Sequence, residues 1–211
     1  MVHNPDNIAT AGARLEEAKR AMVMVHGRGA SAQSILSLAE YLQADDMAYI
    51  APQASQNTWY PYSFLAPMAQ NEPGLSSGLE VVRTLVDRLH NEYGFAYKDI
   101  YLLGFSQGAC LALEYTARHP QSYGGVFGLS GGLIGPEGTP RNYEGTLEGT
   151  PIFLGCSDID SHIPKERVLE SETIFKNMKA NVLAKLYKNF GHSINDDELN
   201  IVNNVLANAT F

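Results

Sequence analysis

Cysteine is scarce: Cys110 and Cys156 are the two in 211 residues. Two thiols cannot build a disulfide framework in a chain of this size, and both read as reduced core residues. Long apolar runs are missing as well. No uninterrupted apolar stretch reaches the ~18 residues needed to span a bilayer, so no membrane insertion is expected. Residues 1–20 carry Asp6, Arg14, Glu16, Glu17, Lys19 and Arg20 but no apolar h-region. That predicts no signal peptide and makes the cytoplasm the default location. Basic residues are in the minority, 15 against 23 acidic, for a net charge of -8. With no Lys/Arg cluster, the chain is expected to take no nucleic acid partner and to be repelled by anionic lipid surfaces.

What remains is the composition of a soluble globular protein, 45% apolar and 18% charged. Its length suits one domain, residues 1–211, better than two. Buried strands are expected over residues 21–25, 47–50, 100–103, 126–129, 151–155 and 182–187, the last partly alternating as an edge position would be. Amphipathic helices are expected over residues 34–42, 77–93, 109–118, 167–178 and 194–206, the last capped by Ser193 with Asp196 at its third position. Residues 1–19 show no clear period beyond a helical turn expected at 15–18. The alternation of strand and helix predicts an α/β fold, a mostly parallel sheet with helices on both faces and no large cap domain.

One junction carries chemistry. Gly104-Phe105-Ser106-Gln107-Gly108 lies between a predicted strand and a predicted helix, the context in which G-x-S-x-G forms a nucleophile elbow. Its tight turn puts the serine in a strained backbone, and small residues two places to either side avoid clashes with neighbouring chain. Ser106 then projects from the strand end, with helix N-terminal N–H groups facing developing negative charge. An incidental serine in a glycine-bounded turn is the plain alternative, so partners are required.

They are present. His26-Gly27-Arg28-Gly29 follows the first predicted strand, where a glycine-rich loop brings a backbone N–H, that of Arg28, close to a reacting carbonyl. A base and an acid are expected in the order Ser, Asp, His, each after a strand. His192, in a Gly-His pair after the last strand, is the base. His3 lies in a loose start, His90 and His119 belong to helices, His26 braces the oxyanion strand, and His162 shares the loop of the acid. Asp158 and Asp160 stand in one turn, either being a candidate to face His192, and spacing from the strand end favours Asp158. The long connection at residues 51–74 holds Trp59, Tyr60, Tyr62, Phe64 and Leu65. These side chains either wall an acyl pocket beside Ser106, with Trp59, Tyr62 and Phe64 as substrate-binding residues, or cap the core. Residues 130–149, with six glycines and two prolines, are a second place for substrate selection.

Together, Val-His-Gly-Arg-Gly at 25–29, Gly-Phe-Ser-Gln-Gly at 104–108, Asp-Ser-His-Ile-Pro at 160–164 and Gly-His at 191–192 resemble the phospholipase/carboxylesterase family of α/β-hydrolases. The resemblance covers nearly the whole chain. It implies a triad of Ser106, His192 and Asp160, the acid standing four places before Pro164, and an oxyanion hole made by the N–H groups of Arg28 and Gln107. It implies hydrolysis of small-molecule esters through an acyl-enzyme, without metal or cofactor. Two further readings stay beside it: a lysophospholipase or acyl-protein thioesterase preferring long acyl chains, and a noncatalytic binding protein on the same fold. The chain departs from the family at Arg28, where an apolar residue is common, and around residues 57–61.

Overall fold

The computed structural model describes residues 2–211. Seven strands form one sheet: β1 (Ile8–Gly12), β2 (Arg20–Val25), β3 (Met47–Pro52), β4 (Ile100–Phe105), β5 (Gly125–Leu129), β6 (Pro151–Ser157) and β7 (Asn181–Tyr187). Their spatial order is β1-β3-β2-β4-β5-β6-β7. All neighbours are parallel except β1, which runs antiparallel to β3, with Thr10 opposite Ile50. This is the expected fold class, an α/β-hydrolase sheet, with an edge strand added.

Five α-helices cover the sheet: α1 (Ala32–Leu36), α2 (Gly74–Asn91), α3 (Gln107–Arg118), α4 (Lys165–Asn177) and α5 (Asp196–Asn208). Strands β2 to β6 are buried on both sides because α2, α3 and α4 pack on one face and α1 and α5 on the other. Val23, Leu102 and Leu154 meet Val82, Leu113 and Phe175 in one core, while Met24, Leu103 and Phe153 meet Ile35 and Val205 in the second. The continuous apolar runs of the central strands have this cause. At the rim, β7 is only half-buried.

Several local expectations need correction. The α-helix at residues 34–42 is shorter: α1 ends at Leu36 and a 3-10 turn carries the chain over Ser37–Tyr41. The final helix is capped by Asn195, not Ser193. The Asn195 side chain accepts from the Glu198 N–H and the Glu198 carboxylate accepts from the Asn195 N–H, a reciprocal box that the shorter Asp196 does not make. His3 is not loose. It is buried, its Nδ1 accepting from the Ser55 N–H and its Nε2 donating to the Trp59 carbonyl at 2.8 Å.

Candidate active site

The centre of the sheet puts its reactive groups at the carboxyl ends of β2, β4, β6 and β7. Ser106 occupies the turn between β4 and α3 with φ 55° and ψ -120°, outside the regions that side chains prefer. The flanking glycines make that turn possible. A methyl group at Gly104 would overlap the Gly108 carbonyl oxygen, and one at Gly108 would overlap that of Val25.

From this turn the Ser106 Oγ meets His192 Nε2 at 2.8 Å, and His192 Nδ1 meets Asp160 Oδ2 at 2.6 Å. A carboxylate only accepts, so Nδ1 carries the imidazole proton, and Nε2 is left with a lone pair facing the serine hydroxyl. Asp160 is wholly enclosed. Its Oδ1 accepts from the N–H groups of His162 and Ile163, at 2.8 and 3.1 Å. Burial works to raise this carboxyl, but those bonds and the one from His192 outweigh it and hold it below the usual carboxylate range.

Asp158, the alternative acid, faces elsewhere. Its Oδ1 accepts from the Asn189 N–H at 2.8 Å, and Ser157 Oγ accepts from the Gly191 N–H at 3.0 Å. These two bonds sew the loop after β7 to the end of β6, and so set where His192 stands. Gly191 allows the turn through its φ of 89°.

Beside β4, the end of β2 lies in register with the elbow, Val25 opposite Gly104. The N–H groups of Arg28 and Gln107 donate no hydrogen bond among the described residues, and Gln107 is the first residue of α3. His26 Nδ1 donates to the Gly27 carbonyl while its Nε2 accepts from the Ala54 N–H, which braces the loop as expected.

Ser106 opens into a cavity of about 540 Å³. Tyr60, Tyr62 and Phe64 line it, with Ile163 and Cys110. Trp59, expected among the substrate-binding residues, does not. It is fully buried and donates its indole N–H to the His26 carbonyl at 2.9 Å, so it caps the core behind the loop. Burial pushes the Cys110 thiol up to about 12, which keeps it protonated and inert at neutral pH.

Three contributions escaped sequence reasoning. Gln107 reaches the loop with its side chain as well as lying at the helix start. Arg28 holds the same loop with its guanidinium, bonding Thr58 Oγ1, the Pro61 carbonyl and the Tyr62 carbonyl at 3.0, 2.9 and 2.6 Å. His162 lines the cavity with its ring 4.8 Å from that of His192. Its place two residues after Asp160 was the available signal.

The sequence profile of the phospholipase/carboxylesterase family matches residues 7–210. The chain belongs to that family. As a phospholipase/carboxylesterase family member it is an enzyme acting on ester bonds. It is 45% identical to the phospholipase/carboxylesterase from Dyadobacter fermentans DSM 18053, whose crystal structure superposes with a TM-score of 0.94 over 98% of each chain. Among curated relatives, acyl-protein thioesterase 1 of Kluyveromyces lactis is 28% identical over 92% of this chain and 94% of its own. The carboxylesterase of Bacillus cereus, 18% identical, shares the fold with a TM-score of 0.75 over 96% of this chain and 93% of that one.

Proposed function

We propose that this protein is a serine carboxylesterase working through an acyl-enzyme. The observation that carries the reading is the relay from Ser106 Oγ through His192 to Asp160, at 2.8 and 2.6 Å. As the Ser106 oxygen attacks an ester carbonyl, its proton passes to His192 Nε2. Asp160 stabilises the imidazolium through Nδ1–H. The carbonyl oxygen, now negative, is held by the N–H groups of Arg28 and Gln107. Collapse breaks the bond to the leaving oxygen, which takes the proton from Nε2 and departs as alcohol. Water then gives a proton to Nε2 and attacks the acyl-enzyme, and the acid leaves as Ser106 recovers its hydrogen.

Residues 58–64 and the open cavity suit small esters, and the whole chain acts as one catalytic domain. The two unpaired, buried thiols support a cytoplasmic setting. No helix of the described residues is long and apolar enough to cross a membrane.

A thioesterase or lysophospholipase with long-chain preference is the second reading, favoured by the relatives named acyl-protein thioesterase 1. A series of p-nitrophenyl esters from acetate to palmitate separates the two by where kcat/KM peaks. The test of the common chemistry is a fluorophosphonate probe. Wild type should label and Ser106→Ala should not, with turnover falling by about 10⁶ if the triad acts as a unit. Folded wild type that takes no label would instead support a noncatalytic protein.

A further inference from the structure

We propose that Arg28 makes this enzyme select esters that carry a free carboxylate. The inference rests on the hydrolase reading and extends it to substrate class. It starts from a charge that is left over. Every other arginine of the chain has a carboxylate within 4.0 Å. Arg28 has none among the described residues, although the chain carries eight more acidic than basic residues. No Asp or Glu lines the cavity that Arg28 shares with Ser106. Asp160, the acid behind His192, is enclosed and has both oxygens engaged by His192 and by the N–H groups of His162 and Ile163.

The guanidinium is nevertheless held in place. Thr58 Oγ1 and the carbonyls of Pro61 and Tyr62 accept from its Nη1 and Nη2, and it sits over the Tyr60 ring, 5.9 Å from its centre. All three acceptors are neutral, so they orient the group without cancelling its charge. Of five guanidinium N–H groups three are used, and the Nε–H is among those that remain. A rigid fork with free N–H groups, beside a nucleophile and short of an anion, matches a planar carboxylate. A loop staple alone would need no charge, since a neutral donor can bond a carbonyl as well.

The test compares substrates that differ only in that charge. On the acyl side the pair is mono-p-nitrophenyl glutarate and p-nitrophenyl methyl glutarate. On the alcohol side it is 4-acetoxybenzoate and its methyl ester. Within each pair the ratio of kcat/KM values cancels any effect of Arg28 substitutions on the oxyanion hole or the loop. Wild type should favour the free carboxylate by about tenfold or more in one pair, as a charge-assisted bond at a partly exposed site would give. Arg28→Gln should bring that ratio to about one, and Arg28→Lys should keep part of it. Glutarate should raise the melting temperature of wild type but not of Arg28→Gln, and glutaramide should raise neither.

A wild-type ratio near one in both pairs overturns the proposal, as does a preference that survives Arg28→Gln. Stronger competition by inorganic phosphate than by glutarate also overturns it, because the site would then be a phosphate site. Failure here stays distinct from failure of the hydrolase reading, which would show as loss of neutral-ester turnover and of fluorophosphonate labelling in wild type.

Discussion

Gln107 carries the main chain of Trp59. The Trp59 N–H donates to Gln107 Oε1 at 2.8 Å, and Gln107 Nε2 donates to the carbonyl of the next residue, Tyr60, at 2.8 Å. The first residue of α3, directly after Ser106, therefore also fixes the loop that walls the cavity. Arg28 does the same from the opposite side, on Pro61 and Tyr62. Arg28, Gln107 and the pocket wall are thus one hydrogen-bonded unit.

Cutting the Gln107 side chain should loosen that unit. Gln107→Ala leaves the buried Trp59 N–H without its acceptor, while the Tyr60 carbonyl loses one donor and keeps the Thr58 hydroxyl at 3.1 Å. An unpaired buried group costs about 1–3 kcal/mol, so a fall in Tm of roughly 2–12 °C is expected. Esterase kcat/KM should fall with it, through the displaced loop, while the Gln107 N–H remains. Thermal melts and ester kinetics on the same sample check both.

The two aspartates of one turn should behave very differently. Asp160→Asn removes the acceptor that fixes the His192 tautomer and should lower kcat by about 10⁴, as in other triads with an amide in place of the acid. Asp158→Asn keeps an oxygen for the Asn189 N–H and should leave kcat within a few-fold of wild type. Steady-state turnover of p-nitrophenyl acetate distinguishes them. The opposite ranking would assign the acid to Asp158.

Much of the arrangement was legible in the residues. The elbow was, because Gly104 and Gly108 are demanded by sterics that leave no alternative. The placing of His192 beside Ser106 was, because chain order and position after the last strand set its competitors aside. What was missed depends on distant partners. In β1, Ile-Ala-Thr-Ala-Gly has one large apolar residue and pairs only with β3, so the strand is made by its neighbour and not by its own pattern. Trp59 reads from sequence as a candidate pocket wall, and only the buried bonds to His26 and Gln107 turn it inward. Ser193 and Asn195 are equally good caps by type, and Glu198 reaching back decides between them.

Gly108 offers a steric test of the elbow. In Gly108→Ala the added methyl would press into the Val25 carbonyl at the end of β2. Backbone cannot yield there without pulling α3 from the sheet, so overpacking of about 1–3 kcal/mol or more is expected. Ser106 should shift with the helix, lowering both Tm and the rate of fluorophosphonate labelling. Gly138→Ala makes a suitable comparison: it is far from the elbow in sequence, with open space for the methyl although its φ is 75°. It should cost stability through strain but leave the labelling rate unchanged.

Glu198 should make stability depend on pH near neutrality. Its side chain is buried at the start of α5, with Oε2 accepting from the Asn195 N–H and Oε1 without a partner among the described residues. Burial pushes its carboxyl up to about 7, against the help of the Asn195 bond. In the unfolded chain the same group titrates near 4.5. Between these two values the native state binds more protons than the unfolded one, so stability falls as pH rises through that window. Below it the contribution is fully present, and above it the cost of the buried charge is complete, roughly 3 kcal/mol. Glu198→Gln, neutral at every pH, should therefore gain on wild type by about that amount between pH 4.5 and pH 8. Urea unfolding of both proteins at the two pH values measures the difference directly. Parallel curves, with no change in the gap between mutant and wild type, would mean that Glu198 is ionised at little cost where it lies.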